Sequence, residues 1–186
     1  MNTITAEWIF PVTAPALHDH AIEIQNGIIQ NIRPISANEE CIPGSCIIPG
    51  LINAHTHLAY TALRNLFDDL SFFPWIRKLT EVKYEKLSED DIATSTRLGI
   101  AECIRGGVTT VADLCDFEIA LRELSASPLR GTFYWEVFGV EKQQATESWN
   151  KIQQYFPRLV SMYSSPRLQI GISPHACFTV RPELYQ

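Results

Sequence analysis

The sequence predicts an α/β fold in which an all-β start gives way to alternating strands and helices. Three observations carry this reading. Asn26-Gly27 separates two apolar runs near the N-terminus, a strong short hairpin signal. Three β-branched or aromatic runs, at 108–113, 132–138 and 168–173, are spaced by helical patterns. No glycine-rich phosphate loop follows the first strand of that alternating part. Strand, helix, strand, helix implies parallel βαβ units, and crossovers of this length fit a doubly wound sheet or a (β/α) barrel. The missing loop weakens the dinucleotide-binding version of the doubly wound sheet.

In chain order, residues 4–35 read as β. Ala21-Ile22-Glu23-Ile24 alternates and Ile28-Ile29-Gln30-Asn31-Ile32 follows, joined by a type I′ turn, which needs positive φ at both central residues. Small and polar residues make 36–45 a loop. Cys46-Ile47-Ile48 is a short buried-strand pattern, and Pro49-Gly50 punctuates entry to the next element. The first domain is therefore set at 1–49 and the second at 50–186. Asp68-Asp69-Leu70-Ser71 turns into a helix around 75–79. A clearer helix starts at Ser88, a good N-cap, with Glu89, Asp90 and Asp91 at the positive end of its dipole, and stops at Gly106-Gly107. The strand 108–113 follows, then a helix at 118–125 and a strand at 132–138 that Gly139 stops. A helix at 145–156 ends at Pro157, and the strand 168–173 leads into Pro174-His175.

Composition narrows the function. A net charge of -6 lacks the basic stripe of a nucleic-acid footprint. No Lys/Arg run suits an anionic membrane surface, and no stretch approaches the ~18 apolar residues of a span. The N-terminus lacks the basic start and apolar core of a signal peptide, so a cytoplasmic location is expected. The five cysteines are scattered, and their odd number argues against a disulfide framework. Cys46, Cys103 and Cys177 sit in apolar runs and read as buried thiols.

The most informative residues are His55 and His57, at the end of Leu51-Ile52-Asn53-Ala54-His55-Thr56-His57. Residues i and i+2 of a strand point to one face, so both imidazoles can converge on one ion. Imidazole suits zinc, iron or nickel. Asp113 and His175 also fall at or just past strand ends, where barrel enzymes carry their chemistry. Asp113 reads as a structural hydrogen-bonding residue. Glu136, inside an aromatic strand, needs a partner, since an unpaired buried carboxylate is costly. His18 and His20 form a second H-x-H, read as solvated in a polar turn. Phe72 and Trp75 read as packing residues.

Pro49-Gly50-Leu51-Ile52-Asn53-Ala54-His55-Thr56-His57 resembles the signature of the amidohydrolase superfamily. Gly107 to Asp113 is similar to its second barrel strand. Ser173-Pro174-His175-Ala176-Cys177-Phe178-Thr179-Val180 is similar to the fourth-strand motif of its deaminase branch, near the methylthioadenosine and S-adenosylhomocysteine deaminases. Leu63-Arg64 and Asp69-Leu70-Ser71-Phe72, followed by Trp75, fit the same branch. The resemblance implies part of a small β-sandwich, then a metal-dependent TIM (β/α)8 barrel, incomplete here at about four βα units. It implies one divalent metal, zinc or alternatively iron, with His55 and His57 as ligands and His175 against a small heterocyclic substrate. The implied reaction is hydrolytic deamination of an aminated purine nucleoside or related heterocycle.

Two departures from that family bear on the expectation. A complete barrel takes ~250 residues, so a third metal histidine, a proton-shuttling glutamate, a further histidine and an aspartate are expected beyond Gln186. The 186-residue chain alone is then expected to be inactive. The family's ribose-gripping glutamate falls at Tyr84, with Glu81 and Glu85 close by. The alternatives are another hydrolase of the superfamily, acting on C–N or C–Cl bonds as in imidazolone ring opening or triazine dechlorination, and a truncated, inactive product.

Overall fold

A computed structural model of the protein describes residues 2–185, and the chain divides into two compact units, Met1–Gly50 and Leu51–Gln186. In the first, β1 (Asn2–Ile9), β2 (Leu17–Gln25), β3 (Ile28–Pro34) and β4 (Cys46–Ile47) form one sheet in the order β3-β2-β1-β4. β2 and β3 make the hairpin that Asn26-Gly27 encodes. The two residues have φ of 53° and 74°, and Gln25 pairs with Ile28 across the turn. Ala6, Ile9 and Ile22 form a small core, against which Leu17, Ile24, Ile32 and Ile47 pack. Arg33 ties the loop after β3 to the sheet. Its guanidinium bonds Glu23 at 2.7 Å and grips Glu39 through two 2.7 Å bonds, which hold the Glu39 carboxyl down at about 2.

Among the described residues this unit is a single sheet. Two expectations change in it. His18 and His20 lie inside β2 rather than in a turn, because β1 pairs with them (Trp8 with His18, Ala6 with His20) and extends the strand N-terminally. Cys46 is exposed rather than buried, since β4 is a two-residue strand at the edge of the sheet.

In the second unit, β5 (Leu51–Thr56), β6 (Val108–Cys115), β7 (Arg130–Val137) and β8 (Leu168–Pro174) pair in parallel, each with the next. Strict sequence order is how a (β/α) barrel builds its wall, whereas a doubly wound sheet reverses at a switch point. Helices α1 (Phe72–Glu81) and α2 (Glu89–Arg105) lie between β5 and β6. Helices α3 (Glu118–Ser125) and α4 (Lys142–Tyr163) make the next two crossovers.

α2 begins where Ser88 accepts the Asp91 N–H (3.2 Å) and Asp91 accepts the Ser88 N–H (2.9 Å), a capping box whose loss costs about 1 kcal/mol. It buries Ile92, Ala93, Ser95, Thr96, Gly99 and Ile100. Gly99 is needed there. A Cβ at this position would lie 2.5 Å from Thr61 Oγ1 and 3.1 Å from the Leu58 carbonyl oxygen. Its absence lets α2 approach the 3-10 turn Leu58–Leu63 that follows the histidine strand.

α4 runs through Pro157 rather than ending there. Proline removes one intrahelical hydrogen bond, but the residue is exposed, so water can satisfy the carbonyl it strands. Leu159, 1% exposed, anchors the helix beyond it. α1 buries none of its residues. Phe72, Phe73 and Trp75 pack on one another, with centroids 5.5 and 6.1 Å apart, and do not enter the core. Cys177 is exposed and Cys103 half-buried, while Cys115 is the fully buried thiol. Among the described residues no helix is long and apolar enough to cross a membrane.

The core fills the space between sheet and helices with Val111 and Phe133 from the strands, Ile92 and Ile100 from α2, Leu121 and Leu124 from α3 and Leu159 from α4. Phe133 is fully buried at its centre. Phe133→Ala should cost about 3–5 kcal/mol, read from the urea midpoint at unchanged slope. A loss under 1 kcal/mol would show that this core does not hold the unit together.

Candidate functional site

The site is built by the register of two neighbouring strands. Parallel pairing sets Thr56 against Asp113, so β6 continues alongside the residues that follow β5. There the Leu114 carbonyl lies 2.8 Å from His57 Nδ1. A carbonyl can only accept, so Nδ1 carries the proton and Nε2 keeps its lone pair. Burial pushes the His57 pKa below its ordinary value, against the opposing effects of the Leu114 hydrogen bond and the Glu136 carboxylate. The ring is therefore a neutral nitrogen donor. His55 is exposed, and its ring lies edge-on to His57 with centroids 5.1 Å apart and planes at 81°. Tyr60, from the 3-10 turn, stacks on His57 at 5.0 Å and 11°.

Asp113 is fully buried and structural. Its Oδ1 accepts the Leu58 N–H at 2.8 Å and so fixes the backbone directly after His57. Its Oδ2 has no partner among the described residues. Burial raises the carboxyl to about 7, the Leu58 N–H pulls it down and the Glu136 charge adds to the rise.

His175 stands one residue past β8. Its N–H donates to the Val137 carbonyl (3.0 Å), and its Nδ1 lies 2.7 Å from Glu136 Oε1. The other oxygen of Glu136 lies 3.9 Å from His57 Nδ1. The carboxylate, 3% exposed, thus finds the partner its position in an aromatic strand demanded. It reaches toward one histidine from β5 and bonds another from β8. Phe138 packs on the His175 ring at 4.7 Å.

The structure brings His55, His57, Glu136 and His175 to the C-terminal ends of three strands. It does not gather the residues around position 84 into a carboxylate grip. Tyr84 donates its hydroxyl to Asp116 Oδ2 at 2.6 Å, Glu81 pairs with Lys78 at 3.1 Å, and Glu85 is exposed. His18 and His20 belong to the other unit, where His18 Nδ1 lies 3.0 Å from Asp19. The Leu114 carbonyl and Tyr60 carried no sequence signal, because a backbone acceptor and a stacking ring become visible only through register.

A metal suits part of this arrangement. His57 presents a neutral imidazole oriented by a backbone carbonyl, the usual support of a ligating histidine, and His55 lies beside it. Among the described residues no group of three or more His, Cys, Asp or Glu side chains is placed to hold an ion. A catalytic zinc usually takes three protein ligands, which two histidines alone do not supply.

The amidohydrolase family profile matches residues 46–186. The chain is 31% identical over 173 residues to a 5-methylthioadenosine/S-adenosylhomocysteine deaminase of Syntrophobacter fumaroxidans, an overlap of 88% of this chain and 40% of that protein. It is 30% identical over 150 residues to a 5'-deoxyadenosine deaminase of Methanocaldococcus jannaschii, covering 79% of this chain and 36% of that one. Among solved structures it is similar to a zinc-bound adenosine deaminase from Xanthomonas campestris. The TM-score is 0.80 at 26% identity, over 98% of this chain and 44% of the other. The chain spans about 40% of the length of the curated relatives it matches.

Asp113 makes stability depend on pH with a definite sign. Its carboxyl is raised from about 3.9 in the unfolded chain to about 7 in the fold. Its contribution is therefore fully present below about pH 4 and is lost as pH rises through 7. Asp113→Asn keeps the acceptor for the Leu58 N–H and removes the titration. Urea unfolding of wild type and variant from pH 4 to 8 should give a wild-type stability that falls relative to the variant as pH rises. Parallel curves would show that Asp113 is not the titrating group.

Proposed function

The chain belongs to the amidohydrolase family, and on that premise we propose that it supplies the N-terminal part of a metal-dependent deaminase of adenine nucleosides or related aminated heterocycles. The observation that carries this reading is the His57 Nδ1–H bond to Leu114, which leaves Nε2 free beside His55 at the end of β5. The relatives' activities supply the substrate class, and the zinc in the Xanthomonas campestris structure favours zinc over iron.

In this reading His55 and His57 hold the ion as neutral donors, which leaves its positive charge uncompensated. When bound, the metal supplies Lewis acidity and a water of lowered pKa. Glu136 fixes the His175 tautomer, leaving Nε2 of that ring to meet the reacting heterocycle or its leaving amine. Water adds to the ring carbon that bears the amine, the C–N bond breaks, and ammonia leaves with the proton a carboxylate returns to it. We place that carboxylate and the missing metal donors outside these 186 residues. The outer strands support this placement. Among the described residues β5 and β8 each pair on one side only, and Leu51, Ile52 and Ile172 are exposed, whereas parallel sheets are ordinarily covered. Tyr84, where the family carries a ribose-gripping glutamate, favours a substrate held without that carboxylate. The location we assign is cytoplasmic.

The test uses the protein as its gene encodes it, loaded with zinc and given 5'-methylthioadenosine, 5'-deoxyadenosine or adenosine. Ammonia and the ultraviolet change of the purine are followed. At least one substrate should be deaminated, and His57→Ala should lose bound zinc and ammonia release together. Retention of full zinc by His57→Ala, or no ammonia from any of the three, would remove the reading.

A further inference from the structure

Lys83 lies between α1 and α2, in a short stretch of π-helix, Val82–Lys86. In sequence it is one charge in a polar run, yet it is 5% exposed. Its ammonium is 2.7 Å from Asp116 Oδ1, a close ion pair. Four aromatic rings surround it: Tyr84 at 4.6 Å, Tyr60 at 5.0 Å, Phe117 at 5.3 Å and Phe138 at 5.7 Å. All four distances fall within the ~6 Å over which a cation is held by a ring face. Two of these rings also pack on a histidine. Tyr60 stacks on His57, and Phe138 packs on His175.

We propose that Lys83 is a positioning residue: its caged ammonium holds Tyr60 and Phe138, and through them the two imidazoles that Glu136 also approaches. This rests on the reading of His57 and His175 as site residues. The physical argument is one of cost. Burying an ammonium is expensive, and the desolvation cost of such a pair can exceed the attraction of its single carboxylate. A methionine of similar length would fill the same space without that cost. The cation adds an attraction directed at ring faces, which an apolar side chain lacks, and the rings it attracts are those that back the histidines.

The test is made on metal-free protein, so that it does not depend on zinc. The ring-nitrogen resonances of His57 and His175 report which nitrogen carries the proton. In wild type both rings should show a single form, protonated at Nδ1. Lys83→Arg, which keeps the charge, should keep that pattern. Lys83→Met/Asp116→Asn, which removes both charges and leaves no orphaned carboxylate, should lose it while the amide spectrum stays folded. Lys83→Gln, which keeps a donor for Asp116 without the charge, gives a second arm if the double variant does not fold, and should also lose it. An unchanged imidazole pattern in the uncharged variants, or its loss in Lys83→Arg, would overturn the proposal. Failure of zinc to bind would remove the metal reading and leave this result standing.

Discussion

The parallel register of β5 on β6 is the constraint on which the site depends. It sets Thr56 against Asp113, and from that pairing two contacts follow. The Leu114 carbonyl takes the His57 Nδ1 proton, and the Asp113 carboxylate takes the Leu58 N–H. One contact fixes the ring and the other fixes the chain that carries it. A slip of one residue would turn every side chain of β5 to the other face and lose both. The close approach of α2 at Gly99 supports the same segment from behind, so the turn after His57 is held between a strand and a helix.

Around that constraint the second unit buries three charged groups among its described residues, each with a different balance. Among those residues Asp113 has one hydrogen bond and no ion partner, and its carboxyl is pushed toward neutrality. Glu136 is bonded to His175 and lies near His57, so its charge is placed between two imidazoles. Lys83 is paired with Asp116 and enclosed by rings. Replacing such groups by apolar residues is often neutral or stabilising in a core. Asp113 serves the backbone after His57, while Glu136 reaches the two imidazoles and Lys83 lies against rings that pack on them.

Much of the fold was legible because its signals are local. The Asn26-Gly27 turn, the Ser88 cap and the β-branched run at 108–113 depend on a few adjacent residues, and each appears where the sequence puts it. The misreadings share one cause. Pro157 ends a helix by its own chemistry, but Leu159 is buried and pulls the helix through. Cys46 and Cys177 lie in apolar runs, but exposure is decided by whether another element covers them. His18 and His20 looked like turn residues until β1 paired with them. In each case a tertiary neighbour overrode the local preference.

The sequence by itself determined the two histidines one residue apart, the strand that carries them, the βα alternation and the resemblance to a family. The first three follow from spacing along the chain, and the resemblance from the motifs around His55, Asp113 and His175. The tertiary structure decided which nitrogen of His57 is free, that Glu136 serves His175, and that Lys83 is enclosed by rings rather than solvated. Those facts join residues 57 with 114, 136 with 175, and 83 with 60 and 138. Strand register and helix packing bring such distant positions together, and no pattern within a short window of sequence encodes either.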